Sequence, residues 1–73
     1  MAANPIAQVI GKNIVQVAVQ NGITLPHLAS LLNVTPKTLR RWLTGERVIT
    51  VYALVRASRA LEVPLERLVD GIE

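Results

Sequence analysis

The hydrophobic residues of this chain recur at helical spacing in several short segments. Three such segments contain Leu25, Leu28, Ala29 and Leu32; Leu39, Trp42 and Leu43; and Val51, Leu54, Val55, Ser58 and Leu61. Intervals of three and four residues place these side chains on one face of an α-helix. The pattern predicts a compact, all-α protein of five short helices without a sheet.

Prolines and turn-forming residues indicate where these helices begin and end. The four prolines occur in the stretches Asn4-Pro5, Thr24-Leu25-Pro26, Thr35-Pro36 and Val63-Pro64. Proline is tolerated in the first turn of a helix, and Asn or Thr just before that turn can cap it. Residues that accept turn conformations follow the apolar segments, at Asn21-Gly22, Asn33, Thr44-Gly45 and Gly71. The predicted helices cover residues 5–20, 25–32, 36–43, 51–61 and 65–70. Thr50 is expected to cap the fourth.

The first predicted helix contains a segment with the opposite local preference. Residues 14–20 are rich in β-branched side chains that partly alternate with polar ones, as in a strand. The spacing of Ile6, Ile10, Ile14 and Val17 fits a helix instead. No other segment of the chain offers a strand partner, so we expect a helix here.

The composition limits the chain to one domain with little catalytic chemistry. It has 73 residues, 51% of them hydrophobic, with no Cys, one His and five carboxylates. This length suits a single small core, and the lack of Cys excludes disulfides and thiolate sites. We expect residues 1–73 to form one domain that is not an enzyme and that has no cofactor, metal or small-molecule substrate.

Neither a signal peptide nor a membrane span is recognisable. Residues 1–4 contain no basic region and no cleavage site. Polar residues interrupt the uncharged segment 13–36, which therefore cannot span a bilayer. We expect a cytoplasmic protein without a membrane partner.

The charged residues are divided between two segments of opposite sign. Residues 37–47 contain Lys37, Arg40, Arg41 and Arg47 against Glu46. Residues 62–73 contain Glu62, Glu66, Asp70 and Glu73 against Arg67. A local basic segment in a small domain suggests a face that meets a polyanion, although charges of this kind can also be an ordinary solvated surface.

The second and third predicted helices form a candidate helix-turn-helix unit over residues 24–43. In such a unit the second helix enters the major groove of DNA with its N-terminal residues facing base edges. Leu39 and Trp42 share the apolar face of that helix. The residues placed on the opposite face are Lys37, Thr38 and Arg41. Trp42 is therefore expected in the core rather than stacked on nucleobases, and His27 is expected to face solvent.

The stretch GITLPHLASLLNVTPKTLRRWLTGE, followed by ALVRASRALEVPLERL, resembles the lambda-repressor-like helix-turn-helix family of phage repressors, Cro proteins and bacterial regulators. The matching positions are Gly22, Thr24, Leu28, Ala29, Val34, Thr35, Leu39, Gly45, Leu54, Ala60, Leu61, Val63, Leu65 and Leu68. The resemblance covers residues 10–70 and depends on spacing more than on any single residue. It implies a five-helix DNA-binding domain.

Two departures from the family concern the helix-turn-helix unit itself. Leu25 stands where family members often carry a Gln that contacts phosphate, so we do not expect that contact. Ala18 and Leu43 stand where many members pair an Arg with a Glu. Loss of one buried partner costs about 3–5 kcal/mol, whereas replacement of both can be neutral. We therefore expect residues 18 and 43 to touch.

The resemblance places Lys37 and Arg41 at base-reading positions, where Arg or Lys against guanine is the commonest specific contact. Thr38 is expected to meet a base edge, a thymine methyl group or a phosphate. The residues expected at the DNA backbone are Lys12, Thr24, Thr35, Arg40 and Arg47, of which the two threonines are also expected as helix caps. Arg56 and Arg59 either pair with the acidic C-terminal helix or widen the basic face.

A third departure is a set of apolar residues at positions where the family is usually polar, namely Val15, Val19, Leu31, Val48 and Ile49. So many apolar side chains are unusual on a small free surface. We expect a homodimer, formed either by the fifth helix with residues 48–52 or by the Val15 and Val19 face. The alternative is a monomer that buries them.

Together these observations predict a double-stranded DNA-binding transcriptional regulator, a Cro-like protein or small phage or prophage repressor. As a homodimer it would read an inverted-repeat operator, because one recognition helix covers only a few base pairs. The alternative is a protein-interaction module of the same fold, such as an antitoxin or antirepressor.

Overall fold

The computed structural model describes residues 4–72 of the chain. It contains helices α1 (Pro5–Gln20), α2 (Leu25–Leu31), α3 (Pro36–Thr44), α4 (Val51–Ala60) and α5 (Leu65–Leu68). The predicted all-α fold is confirmed, and residues 14–20 are helical. The largest difference from the predicted boundaries is at α5, which ends at Leu68 rather than at residue 70. Among the residues described, no helix combines the length and hydrophobicity that a membrane crossing requires.

Side-chain caps begin the first four helices. The Asn4 side-chain oxygen accepts the N–H groups of Ile6 and Ala7, at 2.9 and 3.1 Å. Thr24, Thr35 and Thr50 each accept the backbone N–H of the residue three positions later. These bonds satisfy N–H groups that the first turn cannot pair within the helix. The predicted cap at Thr50 is confirmed.

Three helices end in the same hydrogen-bonded turn. Gly22, Asn33 and Glu62 follow α1, α2 and α4 with φ angles of +68°, +58° and +56°. The β-branched apolar residue that comes next donates its N–H to a carbonyl five positions earlier: Ile23 to Ala18 at 2.9 Å, Val34 to Ala29 at 3.0 Å, and Val63 to Ser58 at 3.0 Å. This geometry is the Schellman motif. Glu62 is not among the predicted turn residues.

The core lies between α1 and the other helices. α1 packs against α3 and α5, and α2 packs against α3 and α4. The largest fully buried side chains are Ile14, Leu28, Leu39, Leu61 and Leu68. Trp42 is 8% exposed and belongs to this core, so its predicted burial is confirmed.

The backbone of α1 closely approaches that of α3 at Gly11. A Cβ atom at this position would lie 2.5 Å from the carbonyl oxygen of Leu43 and 2.7 Å from its Cα. Only a residue without a side chain allows the two backbones to come this close. Gly11 therefore fixes how α3 sits on α1.

Candidate nucleic-acid interface

α3 carries four of the eight residues predicted at DNA, more than any other helix. Leu39 and Trp42 anchor its inner face in the core, and Leu43 packs against that core. Thr35 caps its first turn, and Gly45 ends it at φ +81°. Because both ends and the inner face are fixed, the direction of the outer side chains follows from the helix geometry.

The outer face of α3 presents a shallow cleft of about 290 Å³. Its lining residues are Lys37, Arg40, Arg41, Thr44 and Glu46. Lys37 and Arg40 are exposed, and the side chain of Arg41 is 37% exposed. The structure thus brings together three of the cations that the sequence indicated, on the surface that the helix turns away from the core. We call this surface the basic cleft.

Thr38 and Thr35 form a small hydrogen-bonded pair at the start of α3. The backbone N–H of Thr38 donates to the Thr35 hydroxyl oxygen at 3.1 Å. The Thr35 hydroxyl donates in turn to the Thr38 hydroxyl at 3.0 Å. The Thr38 hydroxyl acts as acceptor in this bond, so its O–H group remains available to donate to an external acceptor. Thr38 is half-buried and lies outside the basic cleft.

Glu46 is a member of the basic cleft that the prediction from sequence did not include. Its Oε2 lies 3.6 Å from Nε of Arg41, which is an ion pair rather than a hydrogen bond. Glu46 follows Gly45, and the left-handed turn at that glycine brings the carboxylate back beside α3. The signal available in the sequence was a single carboxylate inside an otherwise basic segment.

The remaining residues predicted at the DNA backbone do not line the basic cleft. Lys12, Thr24 and Arg47 are exposed on α1, at the start of α2 and in the loop after α3. The Thr24 hydroxyl accepts the N–H of His27 at 3.3 Å, so its role as a cap is confirmed. The backbone N–H of Arg47 donates to the Arg41 carbonyl at 3.1 Å. His27 is exposed, as predicted.

The contacts of Arg56 differ from the first of the two roles predicted for it, pairing with the acidic C-terminal helix. Its Nη2 donates to the Leu31 carbonyl at 3.0 Å, and its Nη1 donates to the Tyr52 hydroxyl at 3.3 Å. The guanidinium carbon also lies 5.7 Å from the centroid of the Tyr52 ring. Arg56 therefore ties α4 to the end of α2 and does not pair with the acidic C-terminal helix. Arg59 is exposed on α4.

The apolar residues predicted at a dimer surface are not all on the surface. Ile49 is 8% exposed and belongs to the hydrophobic core, so its assignment to that surface is wrong. The loop after α3 turns Ile49 inward just before Thr50 caps α4. Val48 is 58% exposed and Val19 is 70% exposed, whereas Val15 and Leu31 are half-buried.

The most exposed apolar side chains near Val48 in the sequence are two residues of segment 48–52, which was predicted as part of a dimer surface. Val51 is 78% exposed and Tyr52 is 70% exposed. Both lie in the first turn of α4, directly after the loop that follows α3. We call Val48, Val51 and Tyr52 the apolar edge. Arg56 orients the ring of Tyr52 within it.

Leu25 lines an apolar pocket between the first turns of α2 and α3. The pocket has a volume of about 110 Å³ and is lined by Leu25, Pro26, Pro36, Leu39, Arg40 and Leu43. Leu25 is 43% exposed. An aliphatic side chain offers no hydrogen-bond donor to a phosphate at this position.

Comparison with known proteins gives a consistent family and fold. The helix-turn-helix family model matches residues 14–68. No curated protein matches the sequence. The clp gene regulator ClgR from Corynebacterium glutamicum superposes with a TM-score of 0.83 and 19% identity, covering 92% of this chain and 71% of that chain. The restriction-modification controller protein C.AhdI from Aeromonas hydrophila gives a TM-score of 0.78 and 16% identity, covering 85% and 94%.

A further solved structure with this fold is that of FeII HppE. It superposes with a TM-score of 0.77 and 25% identity over 93% of this chain, which spans 40% of that protein. Residues 4–72 of this chain contain no group of three or more His, Cys, Asp and Glu residues that could hold a metal ion. The shared part is therefore the helical fold.

Proposed function

Because this chain belongs to the lambda-repressor-like helix-turn-helix family, we propose that it is a sequence-specific regulator of transcription that binds double-stranded DNA. The family match supports DNA binding and transcription regulation. The finer assignment, a Cro-like protein or small phage or prophage repressor with α3 in the major groove, is our proposal. The observation that carries it is the basic cleft on the outer face of α3.

In this proposal the base-reading residues are Lys37, Thr38 and Arg41. Lys37 and Arg41 are one helical turn apart and both line the basic cleft. Each can donate to the N7 and O6 acceptors of guanine. A good bidentate contact favours the correct base over another by about 1–3 kcal/mol. Thr38 has a hydroxyl hydrogen available for a base edge or a phosphate. Because the inner face of α3 is buried, these side chains can meet base edges without rearrangement of the helix.

The backbone of the duplex would meet Arg40 of the cleft and four residues outside it. Arg40 and Arg47 are exposed. Lys12 lies on α1, and Thr24 and Thr35 cap the first turns of α2 and α3. Contacts of this kind fix the register of a protein on DNA and supply affinity that is independent of sequence. Leu25 supplies none, and the proposal assigns it no phosphate.

We expect the protein to act as a homodimer on an inverted repeat. The apolar edge supports this, because it exposes three large apolar side chains immediately after the loop that leaves α3. We place the two-fold axis at this edge, with both copies of α3 facing the same duplex. Two such helices bind half-sites about 34 Å apart, one turn of B-DNA. The alternative dimer surface is the face around Val19, which is also exposed.

Selection of bound sites from random duplexes, followed by sequencing, tests the proposal. We expect enrichment of an inverted repeat. With about four to six phosphates per protomer, the logarithm of affinity should fall against the logarithm of salt concentration with a slope of about −4 to −5 per protomer. No enrichment, together with no duplex binding at low salt, would contradict a DNA-binding function.

Alanine variants then test the base-reading residues. Lys37→Ala and Arg41→Ala should each relax the preference at one base pair by about 5- to 150-fold. Arg59→Ala is the matched control, because it removes an exposed cation of α4 that lies outside the basic cleft. The control should weaken binding slightly and equally on all sequences.

The apolar edge also favours a second function, that of a protein-interaction module such as an antitoxin or antirepressor. Such a module would use the edge for a different protein and would not need the basic cleft. Lys37→Ala combined with Arg41→Ala would then leave its activity intact, whereas Val51→Asp would abolish it. The regulator predicts that the cleft variants abolish activity.

A further inference from the structure

The ion pair between Arg41 and Glu46 places a carboxylate inside the surface proposed to meet DNA. Glu46 is the only acidic residue that lines the basic cleft, among three cations and Thr44. Its side chain is 65% exposed, so its charge remains accessible from the groove side. A carboxylate at a phosphate-facing surface weakens binding to any polyanion. A role that offsets this loss of affinity would explain the carboxylate, and its position beside Arg41 suggests one.

The turn that carries Glu46 is fixed by backbone hydrogen bonds on both sides. The Gly45 carbonyl accepts the N–H of Asn4 at 3.2 Å. The Arg41 carbonyl accepts both the Arg47 N–H at 3.1 Å and the Thr44 hydroxyl at 3.2 Å. Glu46 thus lies between two residues whose backbone is tied to α1 or α3. The position of the Glu46 backbone relative to Arg41 is therefore fixed, and its carboxylate lies within reach of the guanidinium group.

The ion pair uses one side of the Arg41 guanidinium group and leaves the other side available. Arginine has five N–H donors, one on Nε and four on the two terminal nitrogens. Glu46 approaches Arg41 from Nε. The terminal nitrogens remain available for the O6 and N7 atoms of guanine, which need two donors. A carboxylate on the Nε side therefore favours one orientation of the group and does not occupy the donors that would read the base.

We infer that Glu46 is a positioning residue that raises sequence discrimination by acting through Arg41. It holds the guanidinium toward the base edges, and its negative charge disfavours the alternative in which Arg41 swings to a phosphate. A phosphate would bring a second negative charge close to Glu46, whereas a guanine edge brings none. Glu46 thus lowers affinity for DNA in general and raises the preference for guanine at one position. This inference rests on the proposed base-reading role of Arg41.

The test compares four proteins, the native chain, Glu46→Gln, Arg41→Ala and the double variant. Binding is measured at one salt concentration to the selected site, to the same site with the guanine opposite Arg41 replaced, and to an unrelated duplex. Glu46→Gln should bind the unrelated duplex several-fold more tightly. It should also lose about 5- to 10-fold of the discrimination against the replaced guanine, within the range for one base contact. In the Arg41→Ala background, Glu46→Gln should cause no further loss of discrimination.

Glu66→Gln is the matched control, because it removes an exposed carboxylate on α5, outside the basic cleft. It should leave the discrimination unchanged. If Glu46→Gln raises the affinity for every duplex by the same factor, the inference is wrong and Glu46 is only a repelling charge. If Arg41→Ala itself keeps the guanine preference, the base-reading role of Arg41 is what fails. The two failures are therefore distinguishable.

Discussion

Single residues with left-handed backbone follow four of the helices, and three of these residues belong to the same hydrogen-bonded turn. Gly22 and Asn33 belong to the residue types that adopt a positive φ at low cost. Glu62 also has a positive φ, +56°, although its residue type does not adopt such a φ at low cost. Its N–H donates to the Arg59 carbonyl at 3.2 Å, and the next residue completes the motif. The turn after α4 is therefore held in place by its hydrogen bonds and by the packing of Val63, against the preference of Glu62.

Glu62→Gly should stabilise the protein. The left-handed conformation costs an L-residue roughly 1–2 kcal/mol, and glycine avoids this cost while losing about 0.5–1 kcal/mol through its more flexible unfolded state. We expect the free energy of unfolding to rise by about 0.5–1 kcal/mol and the midpoint of thermal unfolding by about 2–8 °C. Glu62→Ala is the control, since it removes the same charge but keeps the Cβ atom. Equal stabilisation by both variants would show that the charge, not the backbone, is responsible.

At the scale of the helices, α1 is the element that holds the others. Gly11 admits the backbone of α3. The Asn13 amide donates to the carbonyls of Leu68, the last residue of α5, and of Asp70, at 2.9 and 2.8 Å. The Asn21 amide donates to the Leu61 carbonyl at 2.9 Å, beyond the end of α4. Side chains of α1 and of its C-cap residue Asn21 therefore satisfy carbonyl groups at the C-terminal ends of α4 and α5.

Gly11→Ala should destabilise the protein although alanine favours helices. Its Cβ would lie within 3 Å of three backbone atoms of Leu43, which cannot move without shifting α3. We expect overpacking of this kind to lower the free energy of unfolding by about 1–3 kcal/mol, measured by urea denaturation. Lys12→Ala, next to it and exposed, should change stability by less than about 0.5 kcal/mol. An increase in stability for Gly11→Ala would show that α3 lies farther from α1 than these distances indicate.

Asn13→Ala should also destabilise the protein, by a different mechanism. Loss of the amide leaves two carbonyl groups near the end of α5 without their side-chain donor. We expect the free energy of unfolding to fall by about 1 kcal/mol, after allowance for the better helix propensity of alanine. Gln16→Ala, at an exposed position of the same helix, should not destabilise it. Faster hydrogen exchange of the α5 amides in Asn13→Ala would locate the effect.

The helices were predictable from sequence because their signals are local. Prolines with capping residues fix the starts, and apolar spacing identifies Leu39 and Trp42 as the inner face of α3. The errors concern contacts between distant segments. Nothing near Arg56 indicates that it bonds to the carbonyl of Leu31, and nothing near Ile49 distinguishes it from the exposed Val48. Such features depend on how the loop after α3 crosses the core, which no periodic pattern encodes.

For the whole molecule, charge and hydrophobicity are arranged around α3. The basic cleft lies on its outer face, while the acidic residues Glu62, Glu66 and Asp70 are exposed at or beyond the end of α4. The apolar edge follows the loop that leaves α3. A cationic surface beside an exposed apolar edge suits a protein that binds a polyanion as two copies, since one surface supplies affinity and the other sets the spacing of the recognition helices.

Val51→Asp should separate dimer formation from folding. Val51 is 78% exposed, so the variant should keep the stability of the monomer, and an acidic residue in the first turn of α4 is favoured by the helix dipole. An unpaired carboxylate buried in an apolar interface is costly, so sedimentation equilibrium should show a monomer. Affinity for the inverted repeat should fall by about 10- to 100-fold, with affinity for a half-site unchanged. Val19→Asp, at an exposed apolar position of the alternative dimer surface, should remain a dimer. If Val19→Asp is monomeric and Val51→Asp is dimeric, the two-fold axis lies at the end of α1, and the spacing of the two half-sites must be derived from that face instead.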